Sequence, residues 1–288
     1  MFSLSLYRLF AAAAWIAAVS AASLTKVSDF GENPTKLSMY VYVPDKLAAK
    51  PPVIIVPHPC GGSAQDTYSR IVKLPSYADK LGFVLIFPST PNSCWDNTSA
   101  KSLTHDGGGD TTGLANMVRY ALTKYGGDPT KIFTTGSSSG GMITNVLLAA
   151  YPDLFAGGAS FSGSPAGCWD GNGNGANCPA SGKSFTAQQW GAVALKGYPS
   201  FNGTRPKMQV WHGTADTVVV YRNLEDQLMQ WSNVLGVEFS KNATSTPQNG
   251  YTQITYGDGT KLVGYSAQGV GHMVPFHDEE VLKFFGLL

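Results

Sequence analysis

The chain has 288 residues, 43% of them hydrophobic, and a formal net charge of +1 at pH 7. This length and composition provide for one large hydrophobic core. The 20 Lys and Arg residues nearly balance the 19 Asp and Glu residues, and no basic run is long enough to follow a phosphate backbone. Electrostatic capture of nucleic acid is therefore excluded, and a neutral substrate, including an uncharged polymer, fits this balance.

The N-terminus has the three parts of a secretory signal peptide. A cation, Arg8, precedes the apolar run 9–19, and small residues follow that run near Ala21. The run is too short to span a membrane, so no membrane association is expected. We expect residues 1–21 to be a signal peptide and residues 22–288 to form one catalytic domain that is secreted and monomeric. A buried N-terminal helix is the alternative.

Four cysteines and three Asn-X-Ser/Thr sequons suit an oxidising compartment. Four cysteines allow three disulfide connectivities. We favour Cys168 with Cys178, across the loop DGNGNGAN, which leaves Cys60 with Cys94. A metal site is not expected, because the sequence has no CxxC pair and no His/Cys cluster with zinc spacing. The sequons mark candidate glycosylation sites at Asn97, Asn202 and Asn242.

Strands and helices alternate along the chain. Apolar runs predict strands at 37–43, 53–57, 83–88, 132–135, 159–161, 208–211 and 262–265. Several of these runs lack alternation, which is typical of parallel strands buried on both faces. One predicted helix begins at Asp110 and closes at Gly126, and another covers 221–235. The pattern predicts a mostly parallel sheet flanked by helices on both faces, with the catalytic loops at the carboxyl ends of its strands.

A glycine- and serine-rich segment joins the strand predicted at 132–135 to a helix. Its pentapeptide, residues 136–140 (GSSSG), matches the G-x-S-x-G nucleophile elbow of the α/β-hydrolase fold. The nucleophile in such an elbow sits in a sharp turn, and Gly136 and Gly140 remove side chains that would collide with neighbouring backbone. Ser138 is therefore the predicted nucleophile. On the pentapeptide alone, an ordinary strand-to-helix turn is the alternative.

A serine hydroxyl is a weak nucleophile unless a base and an orienting acid accompany it. In this fold they follow in the order Ser, Asp, His, and Asp216 and His272 each follow a predicted strand. Asp226 lies inside a predicted helix and Asp258 at a predicted hairpin tip, so Asp216 is the better acid. The other histidines precede the elbow, precede the acid or start the C-terminal helix. The sequence therefore predicts His272 as the general base.

Ester hydrolysis also requires backbone N–H groups directed at the oxygen that gains negative charge. The residue after the nucleophile, Ser139, is one expected donor. The second should come from the loop PHPCGGSA after the early strand, where Cys60 is the candidate through its N–H. A disulfide from Cys60 to Cys94 would hold this loop rigid, and we expect His58 to hold it by hydrogen bonding rather than to transfer protons.

The chain resembles fungal acetylxylan esterases and feruloyl esterases of the first carbohydrate esterase family, which are related to polyhydroxybutyrate depolymerases. The resemblance lies in the segments HPCGGSAQDTY, FPSTPNSCWD, SLTHDGGGDTTGLANMV, TTGSSSGGMITNV, GSPAGCW, RPKMQVWHGTADTVV and GVGHMVP. It implies an α/β-hydrolase that removes acyl groups from plant cell-wall xylan, with the triad on Ser138, Asp216 and His272. Pro59 is a departure, because relatives often carry Gly or an aromatic residue there. No cofactor is expected.

The leading interpretation is an esterase that removes acetyl groups from acetylated xylan. GSPAGCW and GVGHMVP look closer to the acetylxylan branch, and no extra segment is present to enclose a phenolic ring. The alternatives are a feruloyl esterase that releases ferulate from arabinoxylan, a serine peptidase, and a noncatalytic carbohydrate-binding protein on the same scaffold. Aromatic faces suit sugar rings, with core packing as the alternative, so the candidate substrate-binding residues are Trp95, Trp169 and Tyr198.

Overall fold

The structure is a computed structural model that describes residues 22–71, 73–168 and 185–288, and the predicted signal peptide lies outside these ranges. The strands are β1 Thr25–Val27, β2 Ser38–Tyr42, β3 Val53–Ile55, β4 Val84–Ser89, β5 Ile132–Ser137, β6 Gly157–Phe161, β7 Lys207–Gly213, β8 Phe239–Thr244, β9 Tyr251–Tyr256 and β10 Leu262–Ala267. The helices are α1 Ala64–Arg70, α2 Lys73–Leu81, α3 Ala100–Leu103, α4 Asp110–Tyr125, α5 Ser139–Ala150, α6 Ala187–Leu195, α7 Arg222–Leu235 and α8 Asp278–Phe285.

These strands form one sheet in the order β1-β2-β4-β3-β5-β6-β7-β10-β9-β8. The central strands from β4 to β10 in this order are parallel to their neighbours. The two strands at each edge pair in the antiparallel sense. Because parallel strands run in the same direction, their carboxyl ends lie along one side of the sheet. The loops after β5, β7 and β10 therefore meet there.

Both faces of the sheet are buried. Successive side chains of a strand point to opposite faces, and β3 shows the result. Val53 and Ile55 belong to a core cluster that contains residues of α4, α5 and α7. Ile54 and Val56 belong to the cluster on the other face, with residues of α1, α2 and α8. All four side chains are fully buried, which explains why this run is apolar without alternation.

The comparison with the sequence confirms the predicted fold. All seven predicted strands are present, and the two predicted helices correspond to α4 and α7. Gly126 ends α4 with φ of +67°, as expected of a C-terminal glycine. Asp258 lies in the connection between β9 and β10, which pair as an antiparallel hairpin. The sequence analysis missed β1, β8 and β9, and β8 offered no apolar run because nearly all of its residues are exposed.

The predicted disulfide between Cys60 and Cys94 is confirmed. Cys168 also takes part in a disulfide, and its predicted partner Cys178 lies outside the described residues. Asn202 and Asn242 are exposed and stay candidate glycosylation sites. Asn97 is buried, only 8% exposed, and its candidacy stays a prediction. No helix within the described ranges is long and apolar enough to cross a bilayer.

Candidate active site

Ser138 occupies the sharp turn between β5 and α5. Its φ of +54° and ψ of −122° are rare for a residue with a side chain, and such strain is typical of functional sites. A Cβ on Gly136 would lie 2.7 Å from the carbonyl oxygen of Pro57, and one on Gly140 would lie 2.2 Å from it. The elbow can therefore approach the end of β3 closely only because both positions are glycine, as the sequence predicts.

The structure brings the three predicted triad side chains together. His272 Nε2 lies 2.9 Å from Ser138 Oγ, and His272 Nδ1 lies 2.8 Å from Asp216 Oδ2. In the chain, His272 is 134 positions from Ser138 and 56 positions from Asp216. They meet because each follows the carboxyl end of a parallel strand. With Nδ1 donating to the carboxylate, Nε2 is free to accept the Ser138 hydroxyl proton.

The carboxylate of Asp216 is buried and strongly hydrogen-bonded. Its Oδ1 accepts the backbone N–H groups of Val218 and Val219, each at 2.9 Å. Its Oδ2 faces His272, and the side chain has no exposed surface. These donors hold the carboxylate in one orientation. Asp216 can therefore orient the imidazole and stabilise its protonated form, as the acid of a triad must.

A second histidine contacts the same carboxylate from within the core. His212, in β7, has no exposed surface, and its Nε2 lies 3.3 Å from Asp216 Oδ2. The same nitrogen lies 2.6 Å from the carbonyl oxygen of Val219. The sequence analysis missed this contact. The available signal was the spacing of four residues between His212 and Asp216 at the end of one strand.

Ser162 supports the loop that carries His272. It follows β6, is fully buried, and its Oγ accepts the backbone N–H of Val274 at 3.0 Å. Val274 is two residues beyond His272, so this bond fixes the course of the loop. The sequence analysis missed Ser162 as well. No pattern in the sequence connects it to position 274, because 112 residues separate them.

The loop after β3 lies beside Ser138 and contains Cys60. Gly61 N–H donates to the Ser93 carbonyl at 2.7 Å, which adds to the disulfide in joining this loop to the chain at 93–94. Within the described part of the chain, the N–H groups of Cys60 and Ser139 have no hydrogen-bond acceptor. Two backbone donors beside the hydroxyl of Ser138 are thus available to a ligand.

Trp95 connects the elbow to the loop after β3. Its backbone N–H donates to Ser139 Oγ at 2.9 Å, and its indole N–H donates to the His58 carbonyl at 2.8 Å. The side chain is only 3% exposed. Trp95 therefore packs in the core, and its candidacy as a sugar-stacking residue is wrong because neither face of the ring reaches solvent.

His58 holds the same loop, as the sequence predicts. Its Nδ1 donates to the Pro59 carbonyl at 2.7 Å, and its Nε2 accepts the Thr90 N–H at 3.3 Å. Burial lowers the pKa of His58, although its bond to Pro59 and nearby carboxylates act in the opposite direction. The imidazole is therefore neutral at neutral pH and serves as a fixed donor and acceptor.

Of the other two aromatic candidates, the structure describes Tyr198, which does not lie at the site. The Tyr198 ring stacks on His105 at 3.9 Å, and His105 bonds to the Ala150 carbonyl at the end of α5. Since α5 has 12 residues and rises about 1.5 Å per residue, it is about 18 Å long, and Tyr198 packs near the end opposite Ser138. The structure therefore does not bring Tyr198 to Ser138. Trp169 lies outside the described residues.

A cavity of about 330 Å³ opens at Ser138 and His272. We call residues 57–62 and 90–96 the disulfide wall, and residues 213–220 and 268–276 the polar wall. Cys60 and Gly61 line the cavity from the disulfide wall, and Val218 lines it from the polar wall. Within the described residues, no group of three or more His, Cys, Asp or Glu side chains could hold a metal ion.

A second cavity of about 230 Å³ adjoins the first, and we call it the acyl groove. Pro59, Thr67, Arg70 and Met273 line both cavities. Most of the other residues that line the second cavity are apolar, namely Pro57, Ile71, Val274, Pro275 and Phe276. The groove thus continues the Ser138 cavity with walls suited to an apolar group.

The parallel sheet, the elbow and the hydrogen-bonded chain at its end are those of an α/β-hydrolase with esterase relatives. The family model for esterase PHB depolymerase matches residues 37–254, and the chain belongs to this family. It is a carboxylic ester hydrolase.

The chain is similar to enzymes with two different acyl preferences in their names. It is 48% identical over 275 residues to feruloyl esterase B of Neurospora crassa, covering 93% of this chain and 94% of that protein. It is 40% identical over 274 residues to acetylxylan esterase A of Aspergillus ficuum, covering 92% and 89%. The solved acetyl xylan esterase of Aspergillus awamori superposes with a TM-score of 0.88 at 39% identity, covering 92% of this chain and all of that one.

Proposed function

We propose that this protein is a serine esterase in which Ser138 is the nucleophile, His272 the general base and Asp216 its orienting acid. The observation that carries the proposal is the continuous hydrogen-bonded chain from Ser138 Oγ through the imidazole to Asp216 Oδ2. The donor and acceptor order of this chain is the one that proton removal from a serine requires. The strained elbow, which presents Oγ at the cavity, supports the same assignment.

The reaction proceeds in two halves. Ser138 Oγ attacks the ester carbonyl carbon while its proton passes to His272 Nε2, and the carbonyl oxygen becomes an oxyanion. When the tetrahedral intermediate collapses, the bond to the sugar oxygen breaks and His272 returns the proton to that oxygen. Water then attacks the acyl carbon while its proton passes to His272 Nε2. The bond from the acyl carbon to Ser138 Oγ breaks, His272 returns the proton to Oγ, and the carboxylic acid leaves. Asp216 stabilises the imidazolium in both halves.

The oxyanion is held by the backbone N–H groups of Cys60 and Ser139. Both lie beside Ser138 and lack an acceptor within the described residues. The disulfide and Trp95 hold these two donors in place before substrate arrives. Donors that need no reorganisation stabilise the developing charge most effectively.

We further propose that the substrate is an acylated plant cell-wall xylan and that the preferred acyl group is ferulate or a related hydroxycinnamate. The acyl groove supports this choice, because an acetyl group would leave most of its 230 Å³ empty. The 48% sequence identity to a feruloyl esterase also supports it. The preference for acetyl groups expected from the sequence stays a prediction and is the second candidate. The similarity to a solved acetyl xylan esterase favours that second candidate.

One set of measurements separates these candidates. The value of kcat/KM is determined for acetyl, butyryl and feruloyl esters of one alcohol, and release of acetate and ferulate is followed from acetylated xylan and feruloylated arabinoxylan. We expect the feruloyl ester to have the highest kcat/KM, and a maximum at the acetyl ester would establish the second candidate. If Ser138→Ala kept substantial activity, both candidates would fail. Cleavage of peptides without cleavage of esters would support a peptidase instead.

Secretion also belongs to the proposal. The disulfide between Cys60 and Cys94 and the exposed sequons at Asn202 and Asn242 fit an extracellular protein. Expression of the full chain in a fungal host should release protein whose N-terminus is near Ala22. Retention inside the cell would contradict this part of the proposal, and size-exclusion chromatography of the released protein tests the predicted monomer.

A further inference from the structure

Asp216 Oδ2 is approached by two imidazoles, not one. His272 Nδ1 lies 2.8 Å from this oxygen and His212 Nε2 lies 3.3 Å from it. The same His212 nitrogen lies 2.6 Å from the Val219 carbonyl oxygen. A carbonyl and a carboxylate can only accept, so Nε2 carries the proton, which it donates to the Val219 carbonyl with the Asp216 oxygen close beside it.

His212 cannot exchange this proton with a substrate. Its side chain has no exposed surface, and its Nδ1 has no partner within the described residues. Burial lowers the pKa of His212, and nearby His272 acts in the same direction. The bonds to Val219 and Asp216 raise the pKa but do not outweigh burial. His212 is therefore a neutral ring with a fixed N–H.

Two hydrogen bonds and one close contact join His212, Asp216 and Val219 in a closed cycle. Val219 N–H donates to Asp216 Oδ1 at 2.9 Å, the Val219 carbonyl accepts from His212 Nε2, and His212 also faces Asp216 Oδ2. These contacts tie the turn 212–219 to the Asp216 carboxylate. The orientation of Asp216 therefore depends on His212, which itself makes no hydrogen bond to His272.

We propose that His212 is a positioning residue that holds Asp216 Oδ2 toward His272 through its Nε2–H. The inference rests on the proposed function, in which Asp216 orients the catalytic base. The donor also offsets part of the negative charge on Oδ2. A carboxylate that has lost this donor attracts the imidazolium form of His272 more strongly, so the base remains protonated to a higher pH. A ring that only fills space would have no such effect.

The test uses two substitutions and a matched control. His212→Phe keeps a planar ring but removes the N–H, whereas His212→Gln keeps a side-chain N–H donor. The control is His105→Phe, which removes the imidazole bonded to the Ala150 carbonyl at the far end of α5. For each variant, kcat and KM are measured from pH 4.5 to 9 with a p-nitrophenyl ester, and folding is checked by circular dichroism.

In His212→Phe we expect kcat to fall about tenfold with little change in KM, and the acid limb of the kcat/KM profile to move up by roughly half a pH unit. His212→Gln should restore most of the acid limb, and His105→Phe should leave it in place. The proposal is overturned if His212→Phe keeps the wild-type acid limb, even at a lower rate. It is also overturned if Gln and Phe shift the limb equally.

A measurement on the unaltered protein applies even if His212→Phe does not fold. Nitrogen-15 labelling of the histidines should show one imidazole that stays neutral with its proton on Nε2 between pH 5 and 9. Full protonation of His212 within that range would overturn the inference. If Ser138→Ala retains activity, the proposed function fails first. If Ser138→Ala is inactive but the acid limb of His212→Phe does not move, only the inference about His212 fails.

Discussion

The two walls of the Ser138 cavity are held in different ways. In the disulfide wall, a covalent bond between Cys60 and Cys94 and the buried indole of Trp95 fix the backbone. In the polar wall, two buried hydrogen bonds fix the backbone. His212 donates to the Val219 carbonyl, and Ser162 Oγ accepts from the Val274 N–H. The difference matches what each wall does. In the proposed mechanism the disulfide wall only presents N–H groups that must not move, whereas the polar wall carries a base that is protonated twice per turnover.

The largest loss of kcat is expected at Ser138 and His272, beside the cavity that lies between the two walls. Ser138→Ala should lower kcat by about 10⁴- to 10⁶-fold, since it removes the proposed nucleophile. His272→Ala should lower kcat nearly as much, and the double variant should lose little more, because the residues act as a unit. Ester turnover and urea unfolding are measured on all three variants. Additive losses in the double variant would show that the two side chains do not cooperate.

The disulfide wall should respond to loss of its covalent bond in both stability and rate. Cys60→Ser combined with Cys94→Ser opens a loop with a sequence separation of 34 and should lower the free energy of unfolding by about 3–4 kcal/mol. It should also lower kcat, because the Cys60 N–H loses its fixed position. Urea denaturation and kcat measurements test both effects. Unchanged kcat in a destabilised variant would mean that the hydrogen bonds of Gly61, His58 and Trp95 suffice to hold this wall.

The polar wall should lose less stability from a single change. Ser162→Ala leaves the buried N–H of Val274 without its acceptor and should lower the free energy of unfolding by about 1–3 kcal/mol. We expect a loss of several-fold in kcat as well, since Val274 lies two residues from His272. Thr111→Val is the control, because it removes a buried bond to the Ser102 carbonyl. Equal kcat in both variants would show that Ser162 does not position the base.

The parts of the site that follow local rules could be predicted from the sequence. The elbow follows from glycines at 136 and 140, which the chain needs to bring Ser138 close to the end of β3. Asp216 and His272 follow from chain order and from their positions after strands that are apolar without alternation. The same rules predict the central parallel strands, because a strand buried on both faces has a recognisable composition.

The remaining features depend on contacts between distant residues. The acyl groove is lined by Pro57, Arg70 and Phe276, which come from three separate segments, so no segment indicates its size. Trp95 is equally suited by composition to a sugar surface and to a core, and only its 3% exposure decides between them. β8 is exposed at nearly every position and lacks the apolar pattern by which strands are found. Its place in the sheet depends on pairing with β9.

The smallest effect on catalysis is expected at Asp278, where α8 begins beyond the polar wall. Burial raises the pKa of Asp278 from 3.8 to about 6, although Lys73 and the Leu74 N–H of α2 act in the opposite direction. The folded state therefore binds this proton more tightly than the unfolded state does. The resulting stability is fully present below pH 3.8 and is lost as the pH rises through 6.

Asp278→Asn removes this dependence, because it replaces a buried carboxylate by a neutral group of similar shape. The variant should be more stable than the parent by about 1–3 kcal/mol at pH 8 and nearly equal to it at pH 4. Urea denaturation at the two pH values measures the difference, and equal stability at pH 8 would contradict it. We expect kcat to stay unchanged, because the hydrogen bonds of Ser162 and His212 hold the polar wall from the sheet side. A large change in kcat would show instead that the position of His272 depends on how α8 is anchored.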